Sequence, residues 1–467
     1  MQGAIEINQE RCKGCRLCAV ACPLGLLDLA KRKVNRKGYP YVEQHDKEKC
    51  TGCTACAIVC PDGCISVYRE GGLRRAKVPQ QTTPEVFQTA YTESEKGNQL
   101  PHPEEAQSSQ EVHLMKGNEA IAHAAIRCGC DGYFGYPITP QSEILETLTQ
   151  LKPWETTGMV VLQAESEVAA INMLYGGGGS GKRVMTSSSS PGIALMQEGI
   201  SYMTITEIPT LIINVQRGGP GLGTIQPSQS DYRQATVGGG NGDYRVIVLA
   251  PWSVQEMADF VDLGFELAFK YRNPVMMLSD GVIGQMMEKV ILPTPKPRRT
   301  EEQIAKECPW ATNGHGLKGR KPNILTSLEM IPLEMERRNL EMQKKYAQVE
   351  RDEVRYESYQ TEDAEYLIMA FGSIARISME VVGILRSKGI RIGLLRPITL
   401  WPFPEKEVAR LGKQVKGIIV AEMNAGQMID DVRKAVCGST KVIHFGRLGG
   451  VVPEPNEIIS QFEQDFL

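Results

Sequence analysis

The chain has 467 residues, a formal net charge of −3, 42% apolar and 23% charged residues. At roughly 100–200 residues per domain this length suggests two to four domains with proper cores, and the ordinary apolar fraction excludes wholesale disorder. The near-neutral balance gives no electrostatic case for nucleic acid, no apolar run approaches the ~18 residues of a membrane span, and the first residues lack the basic and apolar regions of an export leader, so a cytoplasmic protein without a membrane segment is expected.

The first element in chain order is a pair of cysteine ladders. Cys12-x2-Cys15-x2-Cys18-x3-Cys22-Pro23 is followed by Cys50-x2-Cys53-x2-Cys56-x3-Cys60-Pro61. Structural zinc usually shows two CxxC pairs without a trailing Cys-Pro, and a disulfide framework needs an oxidising compartment for which there is no signal. Soft thiolates at two-residue spacing suit iron in a cubane. The doubled run resembles a bacterial-type two-cluster ferredoxin, a small α+β domain over residues 1–70 with two [4Fe–4S] clusters. That resemblance implies crossed ligand sets: Cys12, Cys15, Cys18 and Cys60 for one cluster, and Cys22, Cys50, Cys53 and Cys56 for the other. Cys64 falls outside both ladders and reads as a packed thiol.

Residues 71–112 are polar and aperiodic, a long linker. From 113 to 295 strand-like runs alternate with helical patterns. The strands expected are Tyr133–Ile138, Met159–Gln163, Arg183–Ser187, Thr210–Gln216, Arg245–Leu249 and Pro274–Ser279. Helices are expected at Asn118–Cys128, Glu165–Leu174 and Ile193–Thr206. Such alternation implies a mostly parallel sheet covered by helices. Residues 296–360 are charged, with a helical pattern near Leu328–Glu350. Residues 361–467 return to alternation, with strands at Tyr366–Ala370, Arg391–Leu395, Gly417–Ala421 and Lys441–Phe445, and form a second, smaller α/β domain.

Candidate ligand positions follow where strands of the larger domain end. Thr139 and Pro140 follow the first strand; the hydroxyl either meets a ligand there or caps the next helix. Glu167 starts a helix, as a dipole-favoured carboxylate or as one aimed into a cleft for proton transfer. Ser188-Ser189-Ser190-Pro191-Gly192 links a strand to a helix, lining an anion or cofactor site or lying under a tight interface. Arg217 precedes Gly218-Gly219-Pro220-Gly221; it suits a bidentate carboxylate clamp, or a surface ion pair. Tyr175–Arg183 contains G-x4-G-K, but Arg183 stands where a phosphate loop has Ser or Thr, and helix and strand come in the wrong order. Its glycines read as a helix stop and close turn.

In this order, Tyr136-Pro137-Ile138-Thr139-Pro140, Glu165-Ser166-Glu167, the serine run and Val215-Gln216-Arg217-Gly218-Gly219-Pro220 resemble the alpha subunit of 2-oxoacid:ferredoxin oxidoreductases. Leu394-Leu395-Arg396-Pro397 and Glu422-Met423-Asn424-Ala425-Gly426 resemble the transketolase C-terminal-like domain of the same enzymes. The resemblance implies an α/β pyrimidine-type domain of a thiamine diphosphate enzyme at 113–295, a charged helical connector at 296–360 and the transketolase C-terminal-like domain at 361–467. It implies CoA-dependent oxidative decarboxylation of a 2-oxo acid to acyl-CoA and carbon dioxide, with electrons passed through the clusters to an external ferredoxin. Glu167 would contact the aminopyrimidine, with Ser189, Ser190 and Gly192 lining the cofactor site. Thr139 and Arg217 would contact the substrate. Thiamine enzymes hold the diphosphate and Mg2+ through Gly-Asp-Gly and a later asparagine. Asp280-Gly281 follows Ser279, and Asn241-Gly242-Asp243 has the wrong order. A partner beta subunit is therefore expected to share thiamine diphosphate and Mg2+, with a gamma subunit completing a hetero-oligomer. Residues 219–245 look closer to enzymes acting on 3-methyl-2-oxobutanoate, with 2-oxoglutarate as runner-up. A non-catalytic electron-transfer and assembly subunit is the alternative from another class.

Overall fold

A computed structural model describes residues 3–14, 16–36, 38–58, 60, 64–69, 112–312 and 322–467. The expected ligand Cys15 and nearly all of the linker lie outside these residues. The chain forms two compact units, residues 1–101 and 102–467, described separately. No helix among the described residues is long and apolar enough to cross a membrane.

In the first unit β1 (Gly3–Ile7) pairs antiparallel with β4 (Ile65–Arg69), and β2 (Leu27–Val34) with β3 (Pro40–Gln44). Its core is largely sulfur: Cys12, Cys18, Cys56 and Cys64 are buried with Leu27, Val42 and Ile65. A domain this small buries little hydrocarbon, and its cysteines take up much of the interior. Asn35 closes the hairpin on the first ladder, donating to the carbonyls of Gln9 (3.0 Å) and Cys12 (2.8 Å).

The second unit is built on a seven-stranded sheet. Its strands are β6 (Gly132–Gly135), β7 (Val160–Gln163), β8 (Val184–Ser188), β9 (Leu211–Gln216), β10 (Ile247–Leu249), β11 (Val275–Asp280) and β16 (Thr399–Trp401), in the order 16-10-11-9-8-6-7. All neighbours are parallel except β10 and β16, while β5 (Val112–Lys116) and β12 (Met287–Ile291) pair antiparallel in a separate ribbon. Helices α1 (Gly117–Arg127), α2 (Ser142–Leu151), α3 (Glu167–Gly179), α4 (Ser190–Ile205) and α5 (Val254–Tyr271) cover it. Strands β8, β9 and β11 are buried at every residue, as parallel strands covered on both faces must be. A second, five-stranded sheet, in the order β13-β15-β14-β17-β18, comprises β13 (Tyr356–Tyr359), β14 (Tyr366–Met369), β15 (Ile392–Pro397), β17 (Gly417–Glu422) and β18 (Lys441–Gly446). Two buried polar links join the sheets. Arg396, stacked on Trp252, grips Glu256 at 2.8 and 2.7 Å, and Gln229 bonds the Phe371 carbonyl (2.8 Å) and the Met423 amide (3.2 Å).

Three expectations need correcting. The strand expected over Tyr133–Ile138 ends at Gly135, because Pro137 and Pro140 lack N–H donors for a ladder. The helical pattern near 328–350 begins at Pro332 and runs to Asp352, proline being well placed in a first helical turn. The glycines after Tyr175 do not stop the helix: α3 continues through Gly179 and is capped by Ser180, and the turn falls at Gly181, whose φ is +81°. These glycines serve close packing. A Cβ on Gly178 would lie 2.5 Å from Ile208 Cγ2 and 2.9 Å from Thr210 Cγ2, whereas one on Gly176 meets nothing within 4 Å. The following Lys182 pairs with Glu301, not with a phosphate.

This contrast yields a paired prediction for thermal unfolding of the purified protein. Gly178→Ala should destabilise by about 1–3 kcal/mol through overpacking. Gly176→Ala should stabilise by about 0.5–1 kcal/mol, because alanine loses less backbone entropy in a helix. Equal responses at both positions would refute the packing account.

Candidate functional site

Chain order along the large sheet reverses beside β6: β7 lies on one side of it, and β8, β9, β11 and β10 follow on the other. At such a reversal the connecting loops part and leave a crevice beyond the strands' carboxyl ends, the usual ligand site of a parallel sheet. Thr139 follows β6, Glu167 follows β7, Ser189 and Ser190 follow β8, and Arg217 follows β9. The topology thus brings the candidate residues to one rim.

Glu167 is the first residue of α3, behind the cap residue Ser166, whose Oγ accepts from the Ala169 amide at 3.2 Å. It is only 6% exposed. Its carboxylate lies against the first turn of α4: a Cβ on Gly192 would stand 2.7 Å from Glu167 Oε1 and collide with Ser188 Oγ. No Lys, Arg or His pairs with Glu167 among the described residues. The Oγ atoms of Ser188 and Ser189 are buried without a hydrogen-bond partner. A buried carboxylate and two unpaired hydroxyls together offer donors and acceptors to a flat, nitrogen-bearing ring such as an aminopyrimidine. That donor set fits thiamine's pyrimidine half.

Thr139 is not a helix cap. Gln141 holds that position, and the Thr139 side chain is exposed. Its carbonyl accepts from Arg217 Nη1 at 3.0 Å, while Nη2 donates to the Leu222 carbonyl at 2.9 Å. Arg217 therefore ties the β6 loop to the glycine-rich loop. It is not a surface ion pair: it is 8% exposed, its Nε is buried without a partner, and no carboxylate pairs with it among the described residues. Since a guanidinium has five N–H groups, two of them bound to carbonyls, donors remain for an incoming carboxylate.

Behind this rim stands a residue that motif reading did not single out. Asp231 accepts from Asn214 Nδ2 at 2.9 Å, and its own amide donates to Gln216 Oε1 at 3.0 Å. Burial pushes its carboxyl above the usual range, while hydrogen bonds from Ser190 and Asn214 pull it back. Ser190 in turn accepts from the Arg217 amide at 3.1 Å, so Asp231 steadies the backbone of the proposed clamp. In sequence, Asp231 stood only within the 219–245 stretch, with no sign that it reaches back to β9. Asp280 faces elsewhere. It accepts from the amides of Val282 (3.0 Å), Ile283 (3.3 Å) and Ser373 (3.2 Å), a capping role that commits both carboxylate oxygens to backbone. Asn241 accepts from Ser201 Oγ at the far end of α4.

In the small unit, Cys22, Cys50, Cys53 and Cys56 line one pocket with Leu26, Leu27 and Val67. Four thiols from both ladders around one apolar cavity fit a cubane cluster. The Leu26 amide donates to Cys22 Sγ at 3.4 Å, and the Cys64 amide to Cys60 Sγ at the same distance. Cys64 is buried, with its sulfur 3.3 Å from that of Cys60.

A helix-covered parallel sheet with a buried carboxylate at its point of reversal, beside a smaller α/β layer, fits the class of α/β enzymes that bind a cofactor at that point. The comparisons agree. The thiamine diphosphate-binding model of pyruvate flavodoxin/ferredoxin oxidoreductases matches residues 123–365, the core domain II model of pyruvate:ferredoxin oxidoreductase matches 364–458, and a 4Fe-4S dicluster model matches 11–64. The chain belongs to the 2-oxoacid:ferredoxin oxidoreductase family, with a two-cluster domain at its N-terminal end. It is 46% identical to the ketoisovalerate oxidoreductase subunit VorB of Methanothermobacter marburgensis over 76% of this chain and 97% of that protein. It is 37% identical to the 2-oxoglutarate synthase subunit KorA of Archaeoglobus fulgidus over 74% and 97%. Among solved structures it resembles a 2-oxoglutarate:ferredoxin oxidoreductase from Magnetococcus marinus, determined with 2-oxoglutarate, coenzyme A and succinyl-CoA bound. That match has a TM-score of 0.66 and 27% identity, and covers 77% of this chain and 66% of that one.

Gly192 generates the prediction here. Gly192→Ala should displace the Glu167 carboxylate and cost about 1–3 kcal/mol in thermal stability. Turnover should fall further than global stability explains; wild-type turnover at a working temperature below the melting midpoint would show that the Glu167–Gly192 contact is incidental.

Proposed function

We propose that this chain is the fused ferredoxin–alpha subunit of a branched-chain 2-oxoacid:ferredoxin oxidoreductase. In this reading it takes 3-methyl-2-oxobutanoate and coenzyme A to an acyl-CoA and carbon dioxide, and passes the electrons to an external ferredoxin. The observation that carries the reading is the buried Glu167 carboxylate, held without a cation among the described residues at the rim of a sheet whose Asp280-Gly281, at the end of β11, is spent on backbone capping. Thiamine diphosphate, when bound, supplies the electron sink for decarboxylation. Glu167 would exchange a proton with the pyrimidine ring nitrogen, Ser189, Ser190 and Gly192 would line the cofactor site, Arg217 would pair with the substrate carboxylate, and Thr139 would contact the substrate.

The diphosphate and its Mg2+ fall to a beta subunit. Elements that carry or flank Glu167 leave apolar side chains exposed for such a partner: Val160 and Leu162 on β7, Val168 and Met173 on α3, and Leu195 on α4. A gamma subunit completes the assembly in this reading. Cys12, Cys15, Cys18 and Cys60 hold one cluster, and Cys22, Cys50, Cys53 and Cys56 the other. The greater identity to the ketoisovalerate enzyme than to the 2-oxoglutarate synthase favours the branched-chain substrate.

The test begins with co-expression. The chain alone should turn over no 2-oxo acid, and addition of the beta subunit should restore activity with the highest kcat/KM on 3-methyl-2-oxobutanoate; a preference for 2-oxoglutarate would reassign the substrate. In the assembled complex, Glu167→Gln should keep the clusters and slow turnover about 10²–10⁴-fold, since an amide does not exchange the proton. Unchanged turnover would leave the chain an electron-transfer and assembly subunit. Arg217→Lys retains charge but loses the fork, and should lower kcat/KM for every 2-oxo acid tried, since all share the carboxylate; Arg217→Ala should lower it further, about ten- to a hundredfold. A change confined to substrate preference would mean that Arg217 reads the side chain.

A further inference from the structure

The two ladders repeat beyond their cysteines. Cys22-Pro23-Leu24-Gly25-Leu26-Leu27 matches Cys60-Pro61-Asp62-Gly63-Cys64-Ile65, which sets Leu26 and Cys64 at the same place, four residues after the last cysteine. The structure keeps this correspondence. Each residue's amide donates to the sulfur of the preceding ladder cysteine at 3.4 Å, and each residue is buried. Leu26 borders the cavity lined by Cys22, Cys50, Cys53 and Cys56. Cys64 lies among the other ligand set, 3.3 Å from Cys60 Sγ and within interaction range of Cys12. The first ladder therefore has a hydrocarbon at a place where the second has a thiol.

A cluster-bound cysteine is a thiolate and carries no proton. In the Cys60–Cys64 pair the hydrogen must then come from Cys64. Hydrogen bonds to ligand sulfur stabilise the added electron and raise the potential of an iron–sulfur centre. Resting on the ligand assignment proposed above, we infer that the Cys64 thiol donates to the Cys60 thiolate and makes the Cys12–Cys15–Cys18–Cys60 cluster easier to reduce than it would be with leucine in that place. Cys64 is a positioning residue for charge on that cluster, not a ligand. It breaks the equivalence of two centres that the repeat otherwise makes alike, and so gives the electron a preferred resting place within the small unit.

The experiment is a potentiometric titration of the assembled complex followed by electron paramagnetic resonance, with iron counted in every sample. Wild type should hold about eight irons per chain; a lower count defeats the ligand assignment before any potential is compared. Cys64→Leu reproduces the counterpart repeat. It should retain the iron and lower one of the two midpoint potentials, leaving the other in place. Leu26→Cys should raise the potential that Cys64→Leu leaves unmoved. Two unmoved potentials in Cys64→Leu, or equal shifts in both, overturn the inference. If Cys64→Leu loses iron, Leu26→Cys decides: a selective rise supports the thiol as a tuning donor, and no rise overturns it.

Discussion

Helices α3 and α4 approach one another so closely that a side chain at Gly199 would strike Ile171, whose Cγ1 lies 2.6 Å from where the Cβ would be. That approach fixes the rest of the site. With the helices this near, the first turn of α4 passes directly under the first residue of α3, and only glycine fits at 192 beneath the Glu167 carboxylate. The acid is buried, with its carboxylate against the backbone of the first turn of α4. A wider gap would admit water and a roaming side chain. A still narrower one is barred by Ile171. Packing distance, more than any polar contact, sets the aim of the proposed acid–base group.

Arg217 performs the complementary task. Its guanidinium fastens two loops that otherwise have no reason to meet, one leaving β6 and one leaving β9, and Asp231 steadies its backbone through Ser190. As the proposed carboxylate clamp it would be oriented before a substrate arrives, so less entropy would be lost on binding. The same side chain cannot be removed without loosening the rim, which is why a change of donor geometry at constant charge is more informative than truncation.

Much of this could be read in the sequence. The cysteine spacing carries its own chemistry, and strand–helix alternation placed ten parallel-type strands to within about two residues at nearly every boundary, because buried parallel strands leave continuous apolar runs. The glycines after Tyr175 misled, since a glycine in a helix looks the same whether it ends the helix or admits a neighbour; only the position of Ile208 and Thr210 distinguishes the two. Asp231 was legible as a residue but not as a support, because its partners on β9 lie 15 and 17 positions away. Likewise Arg396 and the Glu422–Asn424 stretch, which carried the family likeness, act physically as stitches: Arg396 reaches Glu256, and Met423 and Asn424 bond Gln229. Nothing in local composition marks a residue as binding across 140 or more positions.

The short strand β16 extends that theme. Thr399–Trp401 belongs by sequence to the C-terminal layer, yet it pairs antiparallel with β10 and forms the outer edge of the large sheet. During synthesis, β10 emerges some 150 residues before the strand that covers it. Until then its free edge is a row of unpaired amides and carbonyls, open to any extended segment nearby. The larger domain is therefore not an independent folding unit, whatever its motifs suggest. A fragment cut in the charged connector would keep every candidate site residue and still present a sticky edge to its neighbours, so that loss of the far end of the chain would show first as aggregation rather than as loss of chemistry.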